Sequence, residues 1–84
     1  MQKSIYTQQH QRLCELLVEA RDAAGLTQVE LARRLDRPQS FVSKYENGER
    51  RLDVIEFMAV AKALDIKPCS ILEALETPRA RAKR

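Results

Sequence analysis

Aromatic residues make up only 5% of the 84-residue chain, and tryptophan is missing. A stacking platform for single-stranded nucleic acid needs several exposed rings, so that function has little support. Gly25 and Gly48 are the two glycines, too far apart to form one phosphate-cradling loop. A single histidine, His10, with no CxxC or HxxxH spacing, excludes a conventional zinc site, and no metal or other cofactor is implied. Cys14 and Cys69 do not form a disulfide framework; they read as core or surface thiols of a cytoplasmic protein. No apolar run approaches the ~20 residues of a membrane span. The first residues, MQKSIYTQQHQR, lack the apolar stretch of a signal peptide. Paired carboxylates and Cys–His or Ser–His arrangements with a plausible site are also missing, so no catalytic residue is assigned and an enzyme is not expected.

What is present is ordinary for one small globular domain: 44% hydrophobic and 32% charged residues. The net charge of +3 is unevenly spread. The first 27 residues balance. Residues 28–51 carry a local excess of two positive charges, from Arg33, Arg34, Arg37, Lys44, Arg50 and Arg51 against four acids. The next stretch, to Glu76, is negative. The last eight residues hold Arg79, Arg81, Lys83 and Arg84 with no acid. The folded part is therefore polarised, positive in the middle and negative after it, which points to an anionic partner on one face.

The pattern is helical throughout, with no sustained alternation of β-branched residues. Helix 1 is expected from Gln8 to Ala24, on the repeat of Leu13, Leu16, Leu17, Ala20 and Ala24, with Gly25 taking the left-handed position that ends it. Thr27-Gln28-Val29-Glu30 is a capping box and starts helix 2 at Gln28. Asp36-Arg37-Pro38 makes an abrupt turn. Helix 3 is expected over Gln39–Asn47, stopped by Gly48. Asp53 and Glu56 repeat the capping logic for helix 4, which runs to Leu64. Pro68 opens a short helix 5 ending at about Leu75; proline costs nothing at a position whose N–H has no intrahelical partner. The last residues should be disordered.

The stretch from Gln28 to Gly48 is the most informative. Two short helices joined by about three residues must cross steeply, and Ala32 supplies the small residue at the crossing. Helical spacing turns Val42, Tyr45 and Glu46 inward. Gln39, Ser40, Ser43, Lys44 and Asn47 fall on the outer side, which is small, polar and free of acid. Side chains of that kind meet base edges at close range.

Gln28, Ala32, Val42-Ser43 and Glu46-Asn47-Gly48, at that spacing, resemble the helix-turn-helix of the lambda-repressor/Cro family, of the xenobiotic-response-element type. The segment RRLDVIEFMAVAKALDI resembles the helix that follows in that family, and the likeness runs from about Arg12 to Leu75. It implies an all-α, compact, five-helix DNA-binding domain over residues 8–76, followed by a basic tail over 77–84. It further implies a dimer on double-stranded DNA with helix 3 in the major groove. By position, Gln28 would meet a phosphate at the start of helix 2, where the helix dipole favours an anion. Gln39, Ser40, Ser43 and Lys44 would read bases. Asn47, Arg50 and Arg51 would meet the DNA backbone. Arg21 and Glu46 would form a partly buried ion pair between helices 1 and 3.

The chain departs from the family pattern at four positions. Asp36 and Asp65 stand where glycine is usual, and aspartate tolerates the left-handed region better than most residues. Arg37 replaces an aliphatic residue. Pro38 replaces the Ser or Thr cap of helix 3, so that hydrogen bond is lost. Some side chains have two readings. Phe41 either touches a thymine methyl or packs beside helix 2. Arg33 and Arg34 face solvent or reach a phosphate. His10 is expected to be exposed and silent.

Helices 4 and 5 carry more apolar surface than one core absorbs. Phe57, Val60, Ala61 and Leu64 make one stripe, Val54, Ile55 and Met58 a second, and Ile71, Leu72 and Leu75 add a third. A chain this short buries only ~60–65% of its surface. An isologous homodimer through the helix 4–5 region covers the excess. The expected function is a transcriptional regulator, a repressor reading a pseudo-palindromic operator. Two alternatives keep the fold: the antitoxin of a toxin–antitoxin pair, with a toxin or other protein partner on another surface, and a protein-interaction module without DNA binding.

Overall fold

A computed structural model describes residues 5–77 as five helices: α1 (Ile5–Ala23), α2 (Gln28–Leu35), α3 (Gln39–Glu46), α4 (Val54–Ala63) and α5 (Pro68–Glu76). Residues 1–4 and 78–84, and with them nearly all of the expected basic tail, lie outside the described residues. The all-α, lambda-repressor-like fold is as expected, with small shifts at the ends. α1 starts at Ile5 rather than Gln8. The polar run QQHQ has no apolar period to follow, and no cap signal marks the first turn. α1, α3 and α4 each stop one residue earlier than expected because their last expected residue adopts the cap position.

Local chemistry accounts for each boundary. The Thr27 hydroxyl accepts from the Glu30 amide at 3.1 Å while the Thr27 amide donates to Glu30 Oε1 at 2.9 Å. Asp53 and Glu56 make the same reciprocal pair at 2.7 and 3.0 Å. Each box satisfies two amides that a helix start otherwise leaves unpaired. α3 begins on Pro38, which makes no side-chain cap bond.

Four helix ends share one device. After α1 the Leu26 amide reaches back to the Arg21 carbonyl at 3.2 Å and the Gly25 amide to Asp22 at 3.0 Å. Such a pair of bonds requires a left-handed residue between helix and loop. Gly25 (φ +74) and Gly48 (φ +81) fill it for α1 and α3, Asp36 (φ 58) and Asp65 (φ 60) for α2 and α4.

The core forms where the apolar stripes converge. Leu17, Leu31, Val42, Tyr45 and Val60 are its most deeply buried side chains, joined by Leu16, Ala32, Phe41, Phe57, Leu64 and Ile71. Burying a Leu or Val side chain completely is worth about 1.5–3 kcal/mol, so these few positions carry most of the drive to fold. α2 packs on α3 and α4, and α1 packs on α3 and α5. α3 is thus held from two sides while its remaining face stays open. On α4 the Phe57 stripe is buried as expected. Val54, Ile55 and Met58 are left 70%, 74% and 51% exposed, and Leu72 on α5 is 49% exposed.

Candidate nucleic-acid interface

α3 presents Gln39, Ser40, Lys44 and Asn47 to solvent, with Ser43 half-buried between them. Its opposite side is anchored by Val42 and Tyr45, which are almost fully buried. The Ser43 hydroxyl donates to the Ser40 carbonyl at 3.4 Å and keeps acceptor capacity outward. The one acid of α3, Glu46, points inward. Its side chain is 4% exposed against 13% for Arg21. Arg21 Nε donates to Glu46 Oε2 at 2.7 Å and Nη2 donates to Oε1 at 3.0 Å, a two-pronged fit of guanidinium to carboxylate. Nη1 of Arg21 also donates to the Leu26 carbonyl at 2.9 Å. The carboxylate holds the Arg21 pKa above its ordinary value, against the opposing effect of burial.

Gln28 sits at the first position of α2, half-buried beside this pair. Its Nε2 donates to Glu46 Oε1 at 2.8 Å, and its Oε1 accepts from Gln39 Nε2 at 3.2 Å. The expected ion pair of Arg21 and Glu46, the expected phosphate contact Gln28 and the expected base reader Gln39 are therefore one hydrogen-bonded row running from α1 to the open face of α3.

Arg50 and Arg51 part company. Arg51 is exposed. Arg50 makes a fork on Glu56, with Nη1 to Oε1 at 2.8 Å and Nη2 to Oε2 at 2.7 Å. Arg37 approaches the same carboxylate at 3.4 Å. Arg50, the Asp53 amide and Arg37 together hold the Glu56 carboxyl at about 2, well below the usual carboxylate range. The guanidinium groups of Arg37 and Arg50 lie 4.3 and 4.8 Å from the centre of the Phe41 ring, a cation–π arrangement. Phe41 itself is buried, edge-on to Tyr45 with ring centres 5.5 Å apart. Packing, not a thymine contact, is its place in this structure. Tyr45 lies so deep that burial raises its phenol pKa.

A helix-turn-helix family profile matches residues 17–71. The chain belongs to the helix-turn-helix family, in its XRE branch. It is similar to an XRE-family like protein from Pseudomonas syringae pv. tomato strain DC3000, with 58% identity over 88% of this chain and 93% of that one and a TM-score of 0.83. A single-residue variant of a restriction-modification controller protein shares the fold at 20% identity, with 99% of both chains covered and a TM-score of 0.77. No curated protein matches the chain. The XRE-family assignment makes this protein a DNA-binding transcriptional regulator. Among the described residues no group of three or more His, Cys, Asp or Glu could hold a metal ion. No helix among them is long and apolar enough to cross a membrane.

Several contacts of this XRE-family protein were not expected from its sequence. His10 is half-buried rather than exposed: its Nε2 lies 3.8 Å from Cys14 Sγ, in an open cleft that Asn47 and Gly48 also line. Burial, with a smaller effect of Arg51, lowers its pKa. Cys14 is buried and its thiol donates to the Tyr45 carbonyl at 3.2 Å, while Cys69 is exposed. Arg33 and Arg34 are both exposed, and Arg34 donates to the Ala63 carbonyl at 3.0 Å at the end of α4. The Glu56 cluster carried a signal in the sequence, a capping-box glutamate six residues after an arginine, that reading helix ends alone passes over.

Proposed function

We propose that this protein represses transcription by binding a pseudo-palindromic operator as a homodimer, with one α3 in the major groove of each half-site. The open, acid-free face of α3 carries this reading. Gln39, Ser40, Ser43 and Lys44 are its base-reading groups, and donors and acceptors this short discriminate base edges at about 1–3 kcal/mol per good bidentate pair. Gln28, at the positive end of α2, keeps one amide hydrogen for a phosphate. Asn47 and Arg51, after α3, take the flanking phosphates. Arg50 belongs to the same stretch, but a phosphate there has to compete with the Glu56 carboxylate. The dimer is supported by the uncovered Val54, Ile55, Met58 and Leu72 side chains. Exposed apolar side chains on α4 and α5 are of a kind that often marks an association surface.

Selection of bound sequences from random DNA, followed by footprinting, tests the proposal. Two half-sites about 10–10.5 bp apart are expected. Lys44→Ala should lose about 1–3 kcal/mol at the preferred site and relax its choice of base there. A single unpaired half-site at saturation, or an unchanged motif and affinity for Lys44→Ala, would overturn it.

A further inference from the structure

Arg37 precedes α3 and Arg50 follows it, yet the fold brings both guanidinium groups over one ring, 4.3 and 4.8 Å from the centre of Phe41. Two cations drawn to one spot repel each other, and an anion between them offsets that repulsion. Glu56 is that anion. Its Oε1 accepts from Arg50 Nη1 at 2.8 Å, and its Oε2 accepts from Arg50 Nη2 at 2.7 Å and from Arg37 Nη2 at 3.4 Å. The carboxylate is recessed behind the cations: its side chain is 16% exposed, against 37% for Arg50 and 42% for Arg37. A guanidinium fork that fits a carboxylate fits a phosphate as well. Of the five N–H donors of Arg50, Glu56 takes two and the Arg51 carbonyl a third, at 3.1 Å. Little of the fork is left for a second anion.

We propose that Arg37, Arg50 and the Phe41 ring form a phosphate-binding site on the flank of α3 that Glu56 fills in the free protein, so that this carboxylate competes with a phosphate of the DNA backbone and holds down affinity for any duplex. This rests on the reading that α3 lies against DNA. Phosphate contacts carry no sequence, so the competition acts on affinity and its salt dependence and leaves the preferred bases alone. Glu56 is also fastened at its other edge, where Oε1 accepts from the Asp53 amide at 3.0 Å. It cannot swing away from Arg50 without uncapping α4, so a phosphate does not displace it cheaply. Neutralising it changes that. In Glu56→Gln the amide offers an acceptor at one edge only, so whichever way it turns, the two-pronged fit to Arg50 is lost. With its oxygen on the Asp53 amide the capping box survives. Arg50 is then released to take a phosphate.

The experiment measures affinity of full-length wild type and Glu56→Gln for a random-sequence duplex and for the selected site, over a salt series from about 50 to 200 mM. Each phosphate neutralised adds about 0.9 to the slope of log affinity against log salt. Glu56→Gln should bind both duplexes more tightly, with a slope about 0.9 steeper and the same selected motif. Its affinity should therefore fall roughly 3.5-fold further than that of wild type across the series. Arg50→Gln/Glu56→Gln should return the slope to the wild-type value. Glu49→Gln controls for charge alone, since Glu49 is exposed and next to Arg50 in the chain, and it should leave the slope unchanged. An equal or shallower slope in folded Glu56→Gln, which is what a merely structural ion pair would give, overturns the inference. So does a rise as large in Glu49→Gln, or one that survives the loss of Arg50. If Glu56→Gln does not fold, Glu56→Met, which keeps the stem and removes every acceptor, replaces it with the same expected rise. Lys44→Ala separates the two levels. A motif it leaves unchanged, beside a steeper slope in Glu56→Gln, overturns the base-reading role of α3 alone. A motif it alters, with no steepening in Glu56→Gln, overturns the competition alone.

Discussion

Arg21→Ala and Glu46→Ala should destabilise the protein by different amounts, although they break the same ion pair. Removing Arg21 strands a carboxylate that is 4% exposed, with Gln28 as its remaining partner at 2.8 Å. A buried charge left without its partner costs about 3–5 kcal/mol. Removing Glu46 leaves Arg21 at 13% exposure, still bonded to the Leu26 carbonyl at 2.9 Å and 3.7 Å from Asp22. That guanidinium loses two charged bonds but has a way to solvent, so the cost is lower, about 2–3 kcal/mol. At roughly 0.05–0.15 kcal/mol per residue, a chain of 84 has about 4–13 kcal/mol in all. Arg21→Ala thus takes roughly a quarter of it or more. Urea unfolding followed by far-ultraviolet circular dichroism should show a midpoint lower by ~2–3 M for Arg21→Ala, at a slope of about 1.5 kcal/mol/M. Glu46→Ala should fall in between. Arg21→Met with Glu46→Leu should recover most of the loss, because two apolar side chains of similar volume leave no charge to strand. Equal midpoints for wild type and Arg21→Ala would show an ion pair of no consequence. Equal costs for the two single variants would refute the argument from unequal burial.

The left-handed aspartates give a second prediction: Asp65→Gly should stabilise by about 0.5 kcal/mol, since relief of the left-handed conformation exceeds the entropy glycine adds to the unfolded chain, and thermal melting should rise by ~2–4 °C. A lower melting point would refute it. The Glu56 carboxyl, at about 2 in the folded protein and near 4.3 unfolded, stabilises fully above about pH 5 and progressively less as pH falls toward 2. Glu56→Gln should flatten that acid limb in melts taken from pH 2 to 6; an identical limb would assign acid sensitivity elsewhere. Ile55→Glu, at a side chain 74% exposed, should leave melting of the monomer unchanged but raise the dimer dissociation constant by tenfold or more in sedimentation equilibrium, one charge desolvated without a partner being worth at least ~1.4 kcal/mol. An unaltered constant would place the dimer contact on another surface.

Helix starts at Thr27 and Asp53 were legible because a capping box is complete within four residues. So were the buried stripes of α2 and α4, which follow from helical period alone. The start of α1 was not, because Gln8 to Arg12 is polar on every side and no local signal marks its first turn. At the interface, the exposed face of α3 followed from the same periodicity. The Arg21–Glu46 pairing did not; a resemblance suggested it, since two residues 25 apart meet only when α1 and α3 are folded together. The partners of Arg50 and Phe41 depend on how the loop after α3 folds back over α4, which no period encodes. Glu56 was read as a cap, and it is one; that the same carboxylate also receives Arg50 and Arg37 is a property of the assembled fold.

Both ends of α4 are tied to the helix-turn-helix unit. Glu56, in its first turn, holds Arg50 and Arg37 from either side of α3, and the carbonyl of Ala63, its last residue, receives Arg34 from α2. A dimer seated on α4 therefore leaves the reading head no swivel of its own, and the protein becomes a ruler. One base pair added between half-sites turns the second by about 34–36° and carries it ~3.4 Å along the axis. In the proposed dimer on its operator, with α4 clamped at both ends, the duplex would have to absorb that error by twisting, so the length of the spacer would be enforced along with the bases on either side of it.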